Sequence, residues 1–367
     1  YQFSLKAYQT VFLRAINATT PEPDVVKRVP MLVDNITLVV YSFLDRGLFV
    51  KHKLMASSIL CLRIMLTLNL LEGDEYTFLL KGTRVATQEA NPFAEFMSDV
   101  AGECMQALKE IEAFKKLIDD IKGAVNRWKE WCDHPMPESE RMPGAWEKSS
   151  TALQRLCILR AMRPDRITYA ITTFVSSCTQ AFGTNGKTIV DQPPTKTRDV
   201  LNETDPYTPV FFFLSPGANP YGAIEVEGRM EEVPKTTDDG TLVNVSLGQG
   251  QEVVADAGLD AMHKEGGWVF LQNIHLTSSW LPALEKHLEE LWVGPHPDFR
   301  VFVSAEPNPN AAICVIPLGI MQNAIKVTGE PPTGTKANMR NAMSNFNEAK
   351  MEMCQTKNSE FRMLIFA

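Results

Sequence analysis

VFFFLSPGANPYGAIEVEGRM, residues 210–230, passes from an unbroken apolar run through a Gly/Pro turn into helical spacing. A short apolar run bounded by turn residues predicts a buried strand, and strand, turn and helix in that order form the setting of a phosphate-binding loop. Laying the frame G-x-x-x-x-G-K-[ST] on this stretch places Gly217 and Gly222 at the two glycines. Ala223 then stands where the Lys belongs, and Ile224 where the Ser or Thr belongs. The Lys would balance β/γ-phosphate charge and the hydroxyl would hold Mg²⁺. The frame is present and its chemistry is not.

A nucleotide-hydrolysing site of this kind carries a second signature on another core strand, apolar residues ending in Asp-Glu, for Mg²⁺ and for the attacking water. The matching run here is WVFLQN, residues 268–273, so Gln272 and Asn273 occupy the carboxylate positions. Amides do not take a proton from water and are poorer Mg²⁺ ligands than carboxylates. Taken alone, Gln272 and Asn273 read equally well as a polar strand end. Their place in the strand order favours the phosphate-loop frame.

Around these two stretches, short apolar runs alternate with amphipathic helices, which predicts an α/β domain with a mostly parallel sheet. The runs are 210–214, LVNVSL at 242–247, 268–273, FRVFVS at 299–304 and AIKVT at 324–328. Helices are expected near 222–232, 251–264 and 278–291, with one more starting near Ala337. Upstream, residues 1 to about 180 carry apolar residues at helical spacing. Met105, Leu108, Ile111, Phe114, Leu117, Ile118, Ile121, Val125 and Trp128 predict one long helix of about eight turns, with this stripe as core. Pro-rich breaks at 18–24 and 133–144 read as loops.

AFGTNGKT, residues 181–188, ends in the tripeptide Gly186-Lys187-Thr188 that closes a phosphate loop. Ala181 replaces its first glycine, the segment before it has helical spacing, and Pro193-Pro194 follow. A helix end with a glycine cap is the plainer reading. The rival, an active NTPase using Lys187 and Thr188, requires a strand before Phe182. Other candidates are thin. SLGQGQ, 246–251, lacks a cation and reads as a tight turn, and His263 and His275 have no Cys, Asp or Glu at metal-ligand spacing. No G-x-S-x-G occurs.

With 36 Lys and Arg against 44 Asp and Glu, a net charge of −8, the chain carries no basic footprint for nucleic acid. Acidic partners are not expected. The most apolar window, 54–71, contains Arg63 and reads as a buried helix, so no membrane partner is expected. Seven scattered cysteines without a C-x-x-C pair read as reduced core thiols. The start at Tyr1 and the apolar end EFRMLIFA read as the ends of a fragment.

At this point a resemblance enters. VFFFLSPGANP, VSLGQGQEVVADAGLDAMHKEGGWVFLQNIHL and FRVFVSAEPNP resemble the sixth AAA+ module of a dynein heavy chain, and IPLGIMQNAIKVTGEPPTGTKANMR extends the likeness. Upstream, YQFSLKAYQTVFLRAI, RGLFVKHKL and LRAMRPDRITYAITTFV resemble the segments leading into it. The resemblance implies an AAA+ P-loop-type parallel sheet with flanking helices, preceded by an α-helical small domain. It divides the chain into residues 1–158, the small domain of the preceding module and connector, then 159–335, the large α/β domain, and 336–367, the start of a further small domain. It implies a non-hydrolysing module of a microtubule minus-end-directed motor of the axonemal subclass, with cytoplasmic, cytoskeletal and ciliary placement. No cofactor is expected in this segment, while other modules of the parent chain bind ATP and Mg²⁺ and a coiled-coil stalk lies upstream. Neighbouring AAA+ modules, intermediate and light chains and microtubules are the implied partners. Strand 210–214, the Ser246–Gln251 turn, Trp268 and Trp280 are expected to serve as core and interface anchors. Two departures stand out, Asn219 where the family commonly has Asp and Ile274 where it commonly has Cys. The other alternative is a scaffold unrelated to any motor.

Overall fold

The structure, a computed structural model, describes residues 2–85, 91–192, 195–248, 250–308, 310 and 315–331, together with 335 and 339. Contacts divide the chain into two compact units near residues 193 and 194. The helices between 152 and 190 bury their apolar residues in the first unit.

The first unit is helical. Its elements are α1 (Gln2–Ala18), α2 (Val25–Asp45), α3 (Val50–Thr67), α4 (Gly73–Lys81), α5 (Asp99–Lys109), α6 (Leu117–Gly123) and α7 (Val125–Asp133). They are followed by α8 (Trp146–Ser149), α9 (Ala152–Met162), α10 (Ile167–Ser177), α11 (Thr179–Phe182) and α12 (Gly186–Val190). Asp24 ends the first Pro-rich loop and caps α2, its carboxylate accepting from the Val26 amide at 3.0 Å. Thr151 and Gln154 cap α9 reciprocally, and Gln154 Nε2 also donates to Glu75 Oε1 of α4 at 2.7 Å.

The expected single helix over 105–128 is instead α5, a 3₁₀ turn at Glu112–Phe114, α6 and α7. The stripe itself is core: Met105, Leu108, Phe114, Leu117, Ile118, Ile121 and Trp128 are buried in one cluster. A straight helix would string them along ~36 Å. The breaks at Ile111 (extended backbone) and at Gly123-Ala124 let them converge instead, and the Phe114 ring stacks on Trp146 at 6.1 Å.

The second unit is α/β. After α13 (Thr197–Leu201) come β1 (Val210–Leu214), α14 (Tyr221–Arg229), β2 (Leu242–Ser246), α15 (Glu252–Glu265) and β3 (Trp268–Gln272). Then follow α16 (Leu281–Glu290), β4 (Arg300–Ala305), α17 (Leu318–Gln322) and β5 (Ile325–Gly329). All pairings are parallel and the order is β2-β3-β4-β1-β5. Every expected strand is there, within one residue at each end; the central strands β1, β3 and β4 are covered on both faces and nearly continuously apolar, while the edge strands β2 and β5 carry the exposed Asn244 and Lys326. Phe211, Val269, Phe270, Leu271 and Val303 have no exposed surface.

Alternation assigns the two faces. Val210, Phe212, Leu214, Trp268, Phe270 and Phe302 pack with Ile224 of α14 and with α13. Phe211, Val269, Leu271, Val301 and Val303 pack with α15, α16 and α17. So β1 feeds a helix on one face while β2, β3 and β4 feed helices on the other. The sheet reverses its winding beside β1, and the crevice at a reversal lies beyond the carboxyl ends of the strands. That is where the 215–221 turn sits. The helical segment expected over 336–367 lies, apart from Met339, outside the described residues.

Candidate functional site

The turn after β1 is held from below and closed on itself. The Ser215 amide donates to the Gly329 carbonyl of β5 at 2.9 Å, and the Ala218 amide to the Ser215 carbonyl at 3.0 Å. Gly217 takes φ +83°, a conformation that a side chain would strain. Asn219 Oδ1 accepts from the Tyr221 amide at 3.0 Å, so this amide closes a local turn rather than facing a ligand. The helix then starts early. The Ala223 and Ile224 amides both donate to the Pro220 carbonyl at 3.1 Å.

These details bear on anion binding. A phosphate cradle is built of backbone N–H groups aimed at one point. Here Pro216 and Pro220 have no N–H to give, and the amides of Ser215, Ala218, Tyr221, Ala223 and Ile224 are already engaged. No Lys or Arg lies between 215 and 224. Ala223 is exposed, whereas Ile224 has no exposed surface and belongs to the core against Phe270 and Phe302. The side chain at the metal-holding position therefore points into the sheet. Gly222 has open space where a Cβ would be, so its lack of a side chain is not demanded by any neighbour.

At the end of β3, Gln272 Nε2 donates to Asn244 Oδ1 of β2 at 2.7 Å, away from β1. Asn273 leaves the strand in the left-handed region at φ +58°, and its amide donates to the buried Ser304 Oγ at 3.3 Å. The two motif positions thus share the carboxyl edge of one sheet, with β4 between β1 and β3. Tyr221 bridges them. Its ring stacks on Phe270 at 6.0 Å and 15°, and its hydroxyl meets Thr237 Oγ1 at 2.9 Å. Sequence reading passed over Tyr221, Ser304 and Asn244. Asn244 sits one pleat from the strand end, and Ser304 breaks the apolar run 301–305 of β4, which was the available signal.

The rival site is built differently. α10 leads into α11, which ends at Phe182, so helices stand where the strand is required. A Cβ on Gly186 would come within 2.5 Å of the Ser176 carbonyl, so this glycine allows α12 to lie against the end of α10. Lys187 and Thr188 are exposed on the short α12. Among the described residues no group of His, Cys, Asp and Glu has metal-site geometry, and His275 Nδ1 accepts from the Glu306 amide while His263 Nε2 meets the Leu291 carbonyl. The SLGQGQ turn includes Gln249, outside the described residues; Gly250 takes φ +83°. The five described cysteines are buried free thiols. Among the described residues no helix is long and apolar enough to cross a membrane.

Of the expected anchors, Trp268 is buried at 4% between Phe302 and Gly228. Trp280 Nε1 donates to Asp256 Oδ2 at 3.3 Å. The same Asp256 meets His287 Nδ1 at 2.9 Å, while His287 Nε2 meets Asp260 at 3.1 Å, which ties α15 to α16. Burial works to lower the His287 pKa, but the two carboxylates outweigh it and the net direction is upward.

Residues 205–328 match the family model described as "Dynein heavy chain region D6 P-loop domain". Over 367 residues, the chain is 44% identical to dynein axonemal heavy chain 9 of Homo sapiens, covering 100% of this chain and 8% of that protein. It is 40% identical over the same length to the ciliary dynein beta chain of Tripneustes gratilla, again 100% against 8%. Against the flagellar outer arm dynein beta chain of Chlamydomonas reinhardtii it is 41% identical over 347 residues, 94% of this chain and 7% of the other. The chain therefore spans less than a tenth of the length of these relatives. With a parallel sheet in P-loop order and homology along its full length, the chain belongs to the dynein heavy chain family.

Proposed function

We propose that this chain is a non-hydrolysing AAA+ module of a dynein motor ring, together with the helical lid of the module before it. Its role is to pass rigid-body motion between ATP-driven neighbours. The observation that carries this reading is the paired replacement, Ala223 and Ile224 in one motif and Gln272 and Asn273 in the other, on an undamaged sheet. Charge developing on a transferred phosphoryl group would meet no ammonium, no metal-holding hydroxyl and no general base there. A packed body that shifts as a unit suits mechanical transmission.

On this reading Gly217, Gly222, Ala223, Ile224, Gln272 and Asn273 mark a degenerate nucleotide site. ATP and Mg²⁺ belong to other modules of the parent chain. Residues 1–158 are assigned to lid and connector and 159–335 to the large domain, whose leading helices up to residue 190 pack in the first compact unit. The axonemal, ciliary and flagellar names of the relatives support placement on an axoneme, with microtubules, intermediate and light chains and neighbouring modules as partners. Tyr221→Ala tests transmission in the intact motor, because the ring joins α14 to β3 without being part of any chemistry. Microtubule gliding velocity should fall more than ATP turnover does. An equal fall in both, or a loss of turnover alone, would count against the proposal.

A further inference from the structure

At the amino ends of β3 and β4, opposite the 215–221 turn, lies a groove of about 390 Å³ whose wall includes Arg198, Glu231, Lys235, Trp268, Asp298 and Arg300. Its charges are not evenly matched. Arg198 is held by Glu227 at 2.8 Å and by Glu231 at 2.5 Å. Among the described residues Arg300 donates only to neutral acceptors: Thr204 Oγ1 at 3.0 Å and the carbonyls of Pro297 and Phe299 at 2.7 and 2.8 Å. Burial pushes its pKa downward, with Asp205, Asp298 and Glu231 opposing from beyond contact. Lys235 is 6% exposed, and among the described residues its ammonium has no ion pair or hydrogen bond.

The placement of Lys235 is built into the fold. Its amide donates to the Gly228 carbonyl at 2.9 Å, and its own carbonyl lies 2.5 Å from where a Gly228 Cβ would be, so only glycine admits this approach to α14. The Lys235 ammonium is not enclosed by the protein and Lys235 lines the groove, so an anion there can meet it. Glu232 and Asp298 are exposed at the rim, where they keep their hydration.

We propose that this groove is an oxyanion site, in which Lys235 and Arg300 together hold one carboxylate or phosphate group. Arg300 keeps its Nη2 N–H groups after its Nε and Nη1 bonds, and Lys235 adds a point charge, a pairing suited to two oxygens of one anion. The rim carboxylates repel multiply charged ligands, which favours a single carboxylate. The site is separate from the degenerate nucleotide position and stands whether or not that reading holds.

The test acylates the lysines of the whole 367-residue chain with acetic anhydride and follows Lys235 by mass spectrometry, with acetate, with inorganic phosphate and with chloride at equal ionic strength. Lys235 should be protected by an oxyanion and not by chloride. Protection by acetate at lower concentration than phosphate assigns a carboxylate source, and the reverse order a phosphate source. Arg300→Gln should abolish the protection. Lys235→Gln gives a second measure, loss of the rise in melting temperature that the anion produces in the unaltered chain. Equal acylation of Lys235 in all three salts, or an anion-dependent rise that survives Lys235→Gln, would overturn the assignment.

Discussion

Ile224 is the residue at which a phosphate loop and a core position make opposite demands. The loop requires a hydroxyl facing solvent and metal, while this fold places the side chain fully buried beside Phe270. Ile224→Thr should therefore destabilise the chain by about 1–3 kcal/mol, since a hydroxyl without a partner enters the core. Denaturant titration measures this, and an unchanged midpoint would mean that the position is free to turn outward. Gly186 makes the complementary case. Gly186→Ala forces a Cβ toward the Ser176 carbonyl and should lower stability by roughly 1–3 kcal/mol. Lys187→Ala, on the exposed α12, should stay within about 0.5 kcal/mol and leave nucleotide affinity unaltered. Loss of nucleotide binding in Lys187→Ala would reinstate the rival site.

Among the elements, strands were legible and helix continuity was not. β1 and β3 are apolar on both faces, so their runs announce burial without help from neighbours. The segment 105–128 shows what periodicity leaves out. Burial fixes which residues face the core, but Ile111 and the Gly123-Ala124 junction break the axis, and only the target cluster around Trp128 explains why. The candidate site was legible as a pair of replaced motifs. The Asn219 turn, the Tyr221 stack and the Ser304 contact were not, because each depends on a partner far along the chain or on backbone conformation. The α15–α16 contact carries its own prediction. His287 has a folded pKa above its ordinary value of 6.5, so the stability it contributes is full below that value and is lost as pH rises through the folded pKa. The gap in melting temperature between the unaltered chain and His287→Gln should accordingly be wider at about pH 5.5 than at about pH 8.5. A gap independent of pH would mean that the Asp256 and Asp260 contacts do not depend on the imidazolium.

At the scale of the molecule, a helical unit and an α/β unit each have their own core, and the α/β unit keeps a P-loop sheet with Ala223, Ile224, Gln272 and Asn273 at its motif positions. Such a combination is expected of a part that moves with its neighbours' hydrolysis without contributing to it. The most direct measurement is phosphate release from Mg-ATP by the 367-residue chain, beside the same chain with Gln272→Ala. Release indistinguishable from a protein-free blank in both is the expected result. Turnover by the unaltered chain that Gln272→Ala abolishes would contradict the account.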